Sequence, residues 1–253
     1  MTTSGGTRTS SSAWSWLCRR VRFVAQLAEG LVALLYPPEC VSCARGLPSL
    51  GILCEVCASR LSDPVGPRCS VCAVAVEDPT IDLCVTCGTR DRGFDRIVAL
   101  GSYEAWGGLV RALKFERELA VGRWLSTQLA AFVRRERLAN EIDIITYVPM
   151  RARERRTRGF NQARVLARGV AKRLGLPMKR TLIKTQQTRP QAGLPAKERR
   201  ENLQGVFRAV PSNGGRVLLV DDICTTGSTA EECARTLKGA GFSSVSVLVV
   251  ARA

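Results

Sequence analysis

The sequence predicts an α/β protein: a mostly parallel sheet covered by helices, preceded by a small module built on cysteines. Three observations carry that prediction. From residue 96 onward, apolar runs of strand length alternate with stretches of helical periodicity. Eight of the 11 cysteines fall into four C-x-x-C pairs between Cys40 and Cys87. One apolar run, Val217-Leu-Leu-Val220, delivers two adjacent aspartates into a turn of Gly, Ser and Thr, a pattern suited to the ligand-binding edge of an open sheet.

Taken in chain order, residues 1–16 begin Ser/Thr/Gly-rich and read as a disordered tail. Over 17–38, Leu17, Val21, Val24, Leu27, Leu31 and Leu34 recur at steps of three and four, which reads as an amphipathic helix packed on the protein's own core. The apolar stretch from Phe23 to Tyr36 is interrupted by Gln26 and Glu29 and is too short to cross a bilayer. The basic residues before it are not followed by a small-residue cleavage site. No membrane span is expected, and a cytoplasmic location is.

Residues 39–90 form the cysteine module. Its pairs are Cys40/Cys43, Cys54/Cys57, Cys69/Cys72 and Cys84/Cys87, and the gap from Cys43 to Cys54 nearly matches that from Cys72 to Cys84. The second half repeats the first, an internal duplication. Two tetrahedral four-thiolate sites follow naturally, because zinc in a closed structural site takes four thiolates at about 2.3 Å. Disulfides would need an oxidising compartment, for which no export signal speaks. Four redox C-x-x-C copies would be odd, and iron–sulfur runs are usually spaced more tightly. Two structural zinc ions are therefore expected; spacing alone leaves open which pairs share an ion. Cys18, Cys224 and Cys233 lie outside the pattern and read as ordinary small residues.

The second domain is expected over 94–253. Arg96–Gly101 reads as a strand, followed by helical patterns at Leu109–Phe115 and Leu119–Arg137. Ile142–Val148 is a strand closed by Pro149, and Asn161–Leu174 a helix ended by Gly175 and Pro177. Arg216–Val220 is a buried-type strand, Thr229–Lys238 a helix, and Ser244–Val250 the last strand. Strands separated by helices argue for a parallel sheet covered on both faces.

The chemistry concentrates between Val217 and Thr229. Asp221 and Asp222 stand at a strand end; Thr225, Thr226, Gly227, Ser228 and Thr229 then open a helix. Small residues let backbone N–H groups approach an anion, and the helix N-terminus adds partial positive charge, so the turn suits a phosphate. The carboxylates suit sugar hydroxyls or a hydrated Mg²⁺. Phosphate at one end and diol at the other describe a ribose 5-phosphate. A receiver domain also carries an acidic pair at a strand end, but there most of the sheet follows the pair, and too little chain follows Asp222 for that fold. Neither a Walker A nor a G-x-G-x-x-G motif is present.

Composition narrows the chemistry further. The chain has no histidine, which removes Ser-His-Asp and Cys-His relays and imidazole general bases. Its 38 Lys and Arg against 22 Asp and Glu give a formal charge of +16. Pro149 to Ala209 alone holds 17 basic and 3 acidic residues. That surplus exceeds what one pyrophosphate needs and points to a polyanion. Arg151, Arg153, Arg155, Arg156 and Arg158 form its densest part, and Phe160 beside them suits base stacking.

The run VLLVDDICTTGST resembles the phosphoribosyl pyrophosphate (PRPP) signature of type I phosphoribosyltransferases. Arg158-Gly-Phe-Asn-Gln-Ala163 after Val148-Pro149, with Gln191 and Glu198-Arg-Arg-Glu-Asn202 further on, resembles the ComF subfamily, linked to natural competence. The doubled cysteine module resembles that subfamily's double zinc ribbon. The resemblance implies a type I phosphoribosyltransferase sheet, with Asp221 and Asp222 on the ribose hydroxyls and Thr225 to Thr229 on the 5′-phosphate. It implies a pyrophosphate loop at Pro149, Met150 and Arg151, and a mobile covering loop at Thr188–Asn202. PRPP with Mg²⁺ is the implied ligand, and single-stranded DNA and a helicase-type protein are the implied partners. A PRPP-binding protein of DNA handling is the first expectation. A working Mg²⁺-dependent phosphoribosyltransferase is the second, because no pocket for an acceptor base is recognisable, and a PRPP-responsive regulator is the third.

Overall fold

The computed structural model describes residues 38–48, 51–61, 66–116, 119–185 and 203–253. The tail expected over 1–16, Cys18, all but the last residue of the helix expected over 17–38, and Thr188–Asn202 lie outside them. The chain divides into two compact units, 1–55 and 56–253.

In the first unit a tight turn follows Pro38. The Cys40 N–H donates to the Arg45 carbonyl (2.8 Å), Ala44 N–H returns to Cys40 (2.7 Å), and Leu47 N–H reaches Pro38 (2.7 Å). The second unit repeats that turn bond for bond: Cys69 to Val74 (2.9 Å), Ala73 to Cys69 (2.9 Å), Val76 to Pro67 (3.0 Å). Ala44 and Ala73 even share a left-handed φ of 56°. The duplication read from cysteine spacing thus extends to individual backbone hydrogen bonds. Short helices α1 (Glu55–Ser59) and α2 (Val85–Thr89) carry Cys57 and Cys87.

The rest of the second unit runs β1 (Arg96–Ser102), α3 (Tyr103–Arg111), a π-turn (Ala112–Glu116), α4 (Leu119–Arg135), β2 (Ile144–Tyr147), α5 (Ala152–Arg158), α6 (Gln162–Leu174), β3 (Leu182–Lys184), β4 (Phe207–Ala209), β5 (Arg216–Val220), β6 (Ile223–Cys224), α7 (Ser228–Gly239) and β7 (Ser244–Arg252). The main sheet has the order β1–β7–β5–β2, and every pairing in it is parallel; β6 extends it beside the end of β7. β3 and β4 pair separately and antiparallel.

Strand alternation sorts the two faces. Ile97, Ala99, Val217, Leu219, Val245, Val247 and Val249 pack with α7, the β3–β4 ribbon and the second cysteine turn, where Cys69 and Cys72 join Phe94 in one core. The other face carries α3, α4 and α6. On α4, Val121, Leu125, Leu129 and Val133 are fully buried at steps of four, a stripe that accounts for the helix. The second cysteine turn is stitched to the sheet by the Ile97 N–H, which donates to Val71 at 2.7 Å.

Candidate functional site

Parallel strands bring their C-terminal ends to one edge. Because Tyr147 lies in register with Val220, the segments leaving β2 and β5 emerge side by side. The Asp221 N–H donates to Leu248 (3.0 Å) and the Asp222 carbonyl accepts from Val250 (3.1 Å), which fixes the acidic pair to β7. One Asp221 oxygen accepts from the Asp222 N–H (2.9 Å); one Asp222 oxygen accepts from Ile223 (2.8 Å). The other Asp222 oxygen faces Lys114 Nζ at 2.9 Å. Burial, then the neighbouring Asp222 carboxylate, pushes Asp221 up to about 8.

Lys114 reaches the pair because the chain widens into the π-turn after α3, a distortion common at functional sites. Asp221, Asp222 and Lys114 line a cavity of about 120 Å³ together with Pro149, Met150 and Gln162. Gln162 is 2% exposed, and its Nε2 has no hydrogen-bond partner among the described residues. A buried amide donor left unsatisfied costs free energy, and this one sits in a residue that lines the cavity. Asn161 caps α6, its Oδ1 accepting from Arg164 N–H (3.0 Å) while its Nδ2 donates to the Val148 carbonyl (3.1 Å). Asn161 thus anchors the strand end, and Gln162 beside it lines the cavity.

The turn Thr225–Thr229 does not line that cavity; it stands at the N-terminus of α7, 12 residues long. Gly227 takes φ +80°, and a Cβ there would sit 2.5 Å from Arg92 Nη2. Arg92 is buried, donates to the Thr226 carbonyl (2.8 Å) and pairs with the buried Glu231 of α7 (3.2 Å). Glu231 also accepts Arg235 (2.7 Å) and Arg90. At the end of β7, Arg252 donates to the carbonyls of Cys224 (3.0 Å), Thr225 and Cys72 (3.0 Å). Two buried arginines therefore hold the Thr225 and Thr226 carbonyls of the turn toward the protein interior. Thr226 Oγ1 and Ser228 Oγ lie 2.9 Å apart at its tip.

Across Pro149, Met150 and Asn161, which line both spaces, lies a larger cavity of about 520 Å³. Arg155 and Phe160 line it; Arg151 and Arg156 do not. The Arg151 N–H is instead capped by Glu154 (3.2 Å) at the start of α5. Arg153 and Arg158 lie on α5, and nothing is described of their side chains.

The two cysteine sets, Cys40/Cys43/Cys54/Cys57 and Cys69/Cys72/Cys84/Cys87, each have four sulfurs within 4.8 Å of one another. The Cys43–Cys54 and Cys72–Cys84 sulfur separations are both 3.7 Å. Four ligands at about 2.3 Å around tetrahedral zinc would stand about 3.8 Å apart, so the donors fit the ion. Neighbouring pairs share a site, which spacing left open. Burial raises the Cys40 thiol, but N–H groups of Cys54, Ser42 and Cys43 outweigh it and bring it down to about 6; similar donors bring Cys69 to about 7. All ten described cysteines are free of disulfides.

Sequence reasoning missed Lys114, Gln162, Arg92 and Arg252 as parts of the site. Lys114 had a signal, since a lysine between Leu113 and Phe115 interrupts an apolar run. Arg92 and Arg252 had none, because their partners lie far along the chain.

The chain from 31 to 88 matches the family model of the double zinc ribbon domain, and 161–253 that of the phosphoribosyl transferase domain. It is 32% identical over 169 residues to competence protein F of Haemophilus influenzae, covering 63% of this chain and 74% of that protein. The chain belongs to the competence protein F family. A second relative in it, the DNA utilization protein YhgH of Salmonella typhimurium, is 31% identical over 243 residues, 94% of this chain and 96% of that one. Among solved structures, UMP synthase of Leishmania donovani (20% identical, TM-score 0.35, 57% of this chain and 24% of that one) and the glutamine PRPP amidotransferase of B. subtilis (26%, TM-score 0.33, 51% and 26%) are similar to it. The chain spans about a quarter of each of those two proteins. Membership rests on the relatives and family models, and the two cysteine sets agree with the double zinc ribbon match. Among the described residues no helix is long and apolar enough to cross a membrane.

Proposed function

We propose that this chain binds a ribose 5-phosphate ligand, PRPP with Mg²⁺ in its fullest form, and serves the handling of single-stranded DNA in competence or related DNA utilisation. The observation that carries the first half is the acidic pair on a small cavity beside Lys114. In this reading Asp221 and Asp222 accept the ribose hydroxyls, and Mg²⁺ adds charge neutralisation beside them. Thr225, Thr226, Gly227, Ser228 and Thr229 take the 5′-phosphate at the α7 N-terminus. Lys114 and Gln162, with Pro149, Met150 and Arg151, face the pyrophosphate.

The DNA half is supported by the 17 basic residues against 3 acidic between Pro149 and Ala209, and by the names of the two relatives. The zinc ribbons are assigned a protein contact, with a helicase-type enzyme as the partner. Eight zinc thiolates suit a reducing compartment, in keeping with a cytoplasmic location. Calorimetric titration of PRPP and Mg²⁺ tests the ligand: saturable binding is expected, lost in Asp221→Asn/Asp222→Asn. Affinity unchanged in that variant would refute the site. Pyrophosphate released on adding a nucleobase panel would select the transferase instead.

A further inference from the structure

We propose that the 520 Å³ cavity beyond the Pro149–Met150 wall is a nucleotide site, holding one nucleobase with its flanking phosphates as a unit of a single strand. The inference rests on the DNA-handling half of the function above, and not on the sugar-phosphate half.

Four exposed arginines from three segments line this space: Arg155 of α5, Arg164 and Arg168 of α6, and Arg180 ahead of β3. Arg164 and Arg168 stand four apart on a helix, where like charges repel. No carboxylate lines the cavity, and among the described residues none of the four has an ion-pair partner. Some arginines are ion-paired elsewhere (Arg90, Arg92 and Arg235 with Glu231, Arg96 with Glu141, Arg216 with Asp143). Exposed Arg45, Arg111, Arg123 and Arg208 are in none of these ion pairs, so what sets the cavity arginines apart is their shared concave wall. A concave wall of unpaired cations is an anion site, and the guanidinium fork suits phosphate oxygens.

The remaining wall is of another kind. Phe160, Met150, Val165 and Met178 are apolar, and the Phe160 ring is half-buried rather than lost in the core. Its place is set on both sides, by Gly159 at φ +85° closing α5 and by Asn161 capping α6. A bare phosphate would leave this wall unused, and an apolar ligand would strip water from the arginines without replacing it. A base stacked on Phe160 between phosphates on the arginines satisfies both. The volume lies within the range of small-ligand sites.

A free nucleotide offers the same chemistry as a strand, so the test carries both, using the full zinc-loaded chain. Binding of a labelled oligothymidine by anisotropy across a salt series, and of thymidine monophosphate and inorganic phosphate by calorimetry, is compared in four proteins. These are the wild type, Arg164→Ala/Arg168→Ala, Phe160→Ala, and a charge-matched control, Arg111→Ala/Lys172→Ala, at exposed positions that do not line the cavity. The cavity pair should weaken oligonucleotide binding at least tenfold and lower the magnitude of the salt slope by about 1.4. Phe160→Ala should weaken it about tenfold with the slope unchanged, and leave inorganic phosphate unaffected. Ribose 5-phosphate binding should persist in every variant. Thymidine monophosphate bound as tightly as the strand, with the same variant dependence, would keep the site and make a free nucleotide its occupant. Equal losses in the control pair, or a neutral Phe160→Ala, would overturn the cavity site while wild-type strand binding upheld the DNA reading. No binding of strand or mononucleotide by the wild type would sink both.

Discussion

Asp221 gives the sharpest quantitative handle on the acidic pair. Its carboxyl is pushed up to about 8 by burial and by Asp222, against about 3.9 in an unfolded chain. The folded protein therefore holds a proton that the unfolded chain has released throughout that window. The stability this group contributes is complete below about pH 4, falls as pH rises, and is gone above about pH 8. Four pH units correspond to a ceiling of about 5 kcal/mol. For a unit of this size each kcal/mol moves the melting temperature by about 2–4 °C, so the full swing is on the order of 10 °C. Asp221→Asn removes the titration and keeps the shape. Scanning calorimetry of wild type and variant between pH 5 and pH 9 should show melting temperatures that diverge with rising pH, the variant ending the more stable. Parallel curves would show that Asp221 ionises in the fold as freely as in water, and the electrostatic reading of the pair would fall.

Further outcomes follow from the same geometry. Gly227→Ala forces a side chain into a left-handed turn and against Arg92; it should cost about 1–3 kcal/mol by urea unfolding and weaken ribose 5-phosphate binding. Arg92→Met leaves Glu231 and the Thr226 carbonyl short of a buried partner and should cost about 2–4 kcal/mol; a neutral result would remove Arg92 from the support of the turn. Lys114→Ala should weaken pyrophosphate-bearing ligands more than ribose 5-phosphate, and equal losses by calorimetry would place Lys114 elsewhere. Metal analysis should find two zinc ions per chain, and Cys72→Ser should reduce them to one and lower the melting temperature, because that cysteine belongs to the core of the second unit.

The main sheet was legible because its strands are continuous apolar runs: all four long parallel strands stand where the sequence puts them. The duplicated cysteine turns were legible for another reason, since metal spacing is a local code. What escaped was short or charged. Ala152–Arg158 holds no apolar residue larger than alanine, so no periodicity betrays α5. β3 and β4 have three residues each and gain their stability from each other and from α7. The helix expected from Leu109 begins at Tyr103, directly after β1, because Ser102 supplies its cap. At the site, the aspartates, the turn and Phe160 carry local signatures. Gln162 stands within the quoted motif, but its buried, unsatisfied amide is visible only in three dimensions. The four cavity arginines come from three separate segments, and only the fold brings those segments together.

Everything proposed for the sugar-phosphate site depends on the turn opening α7 receiving the phosphate. Backbone amide NMR during a titration with ribose 5-phosphate tests this at the residues themselves. Saturable shifts are expected, confined to Thr225–Thr229 and the neighbouring Asp221–Asp222, with distant Gly175 and Gly214 unmoved. Silent amides at Thr225–Thr229 under saturating ligand, or shifts that arise only elsewhere, would contradict it.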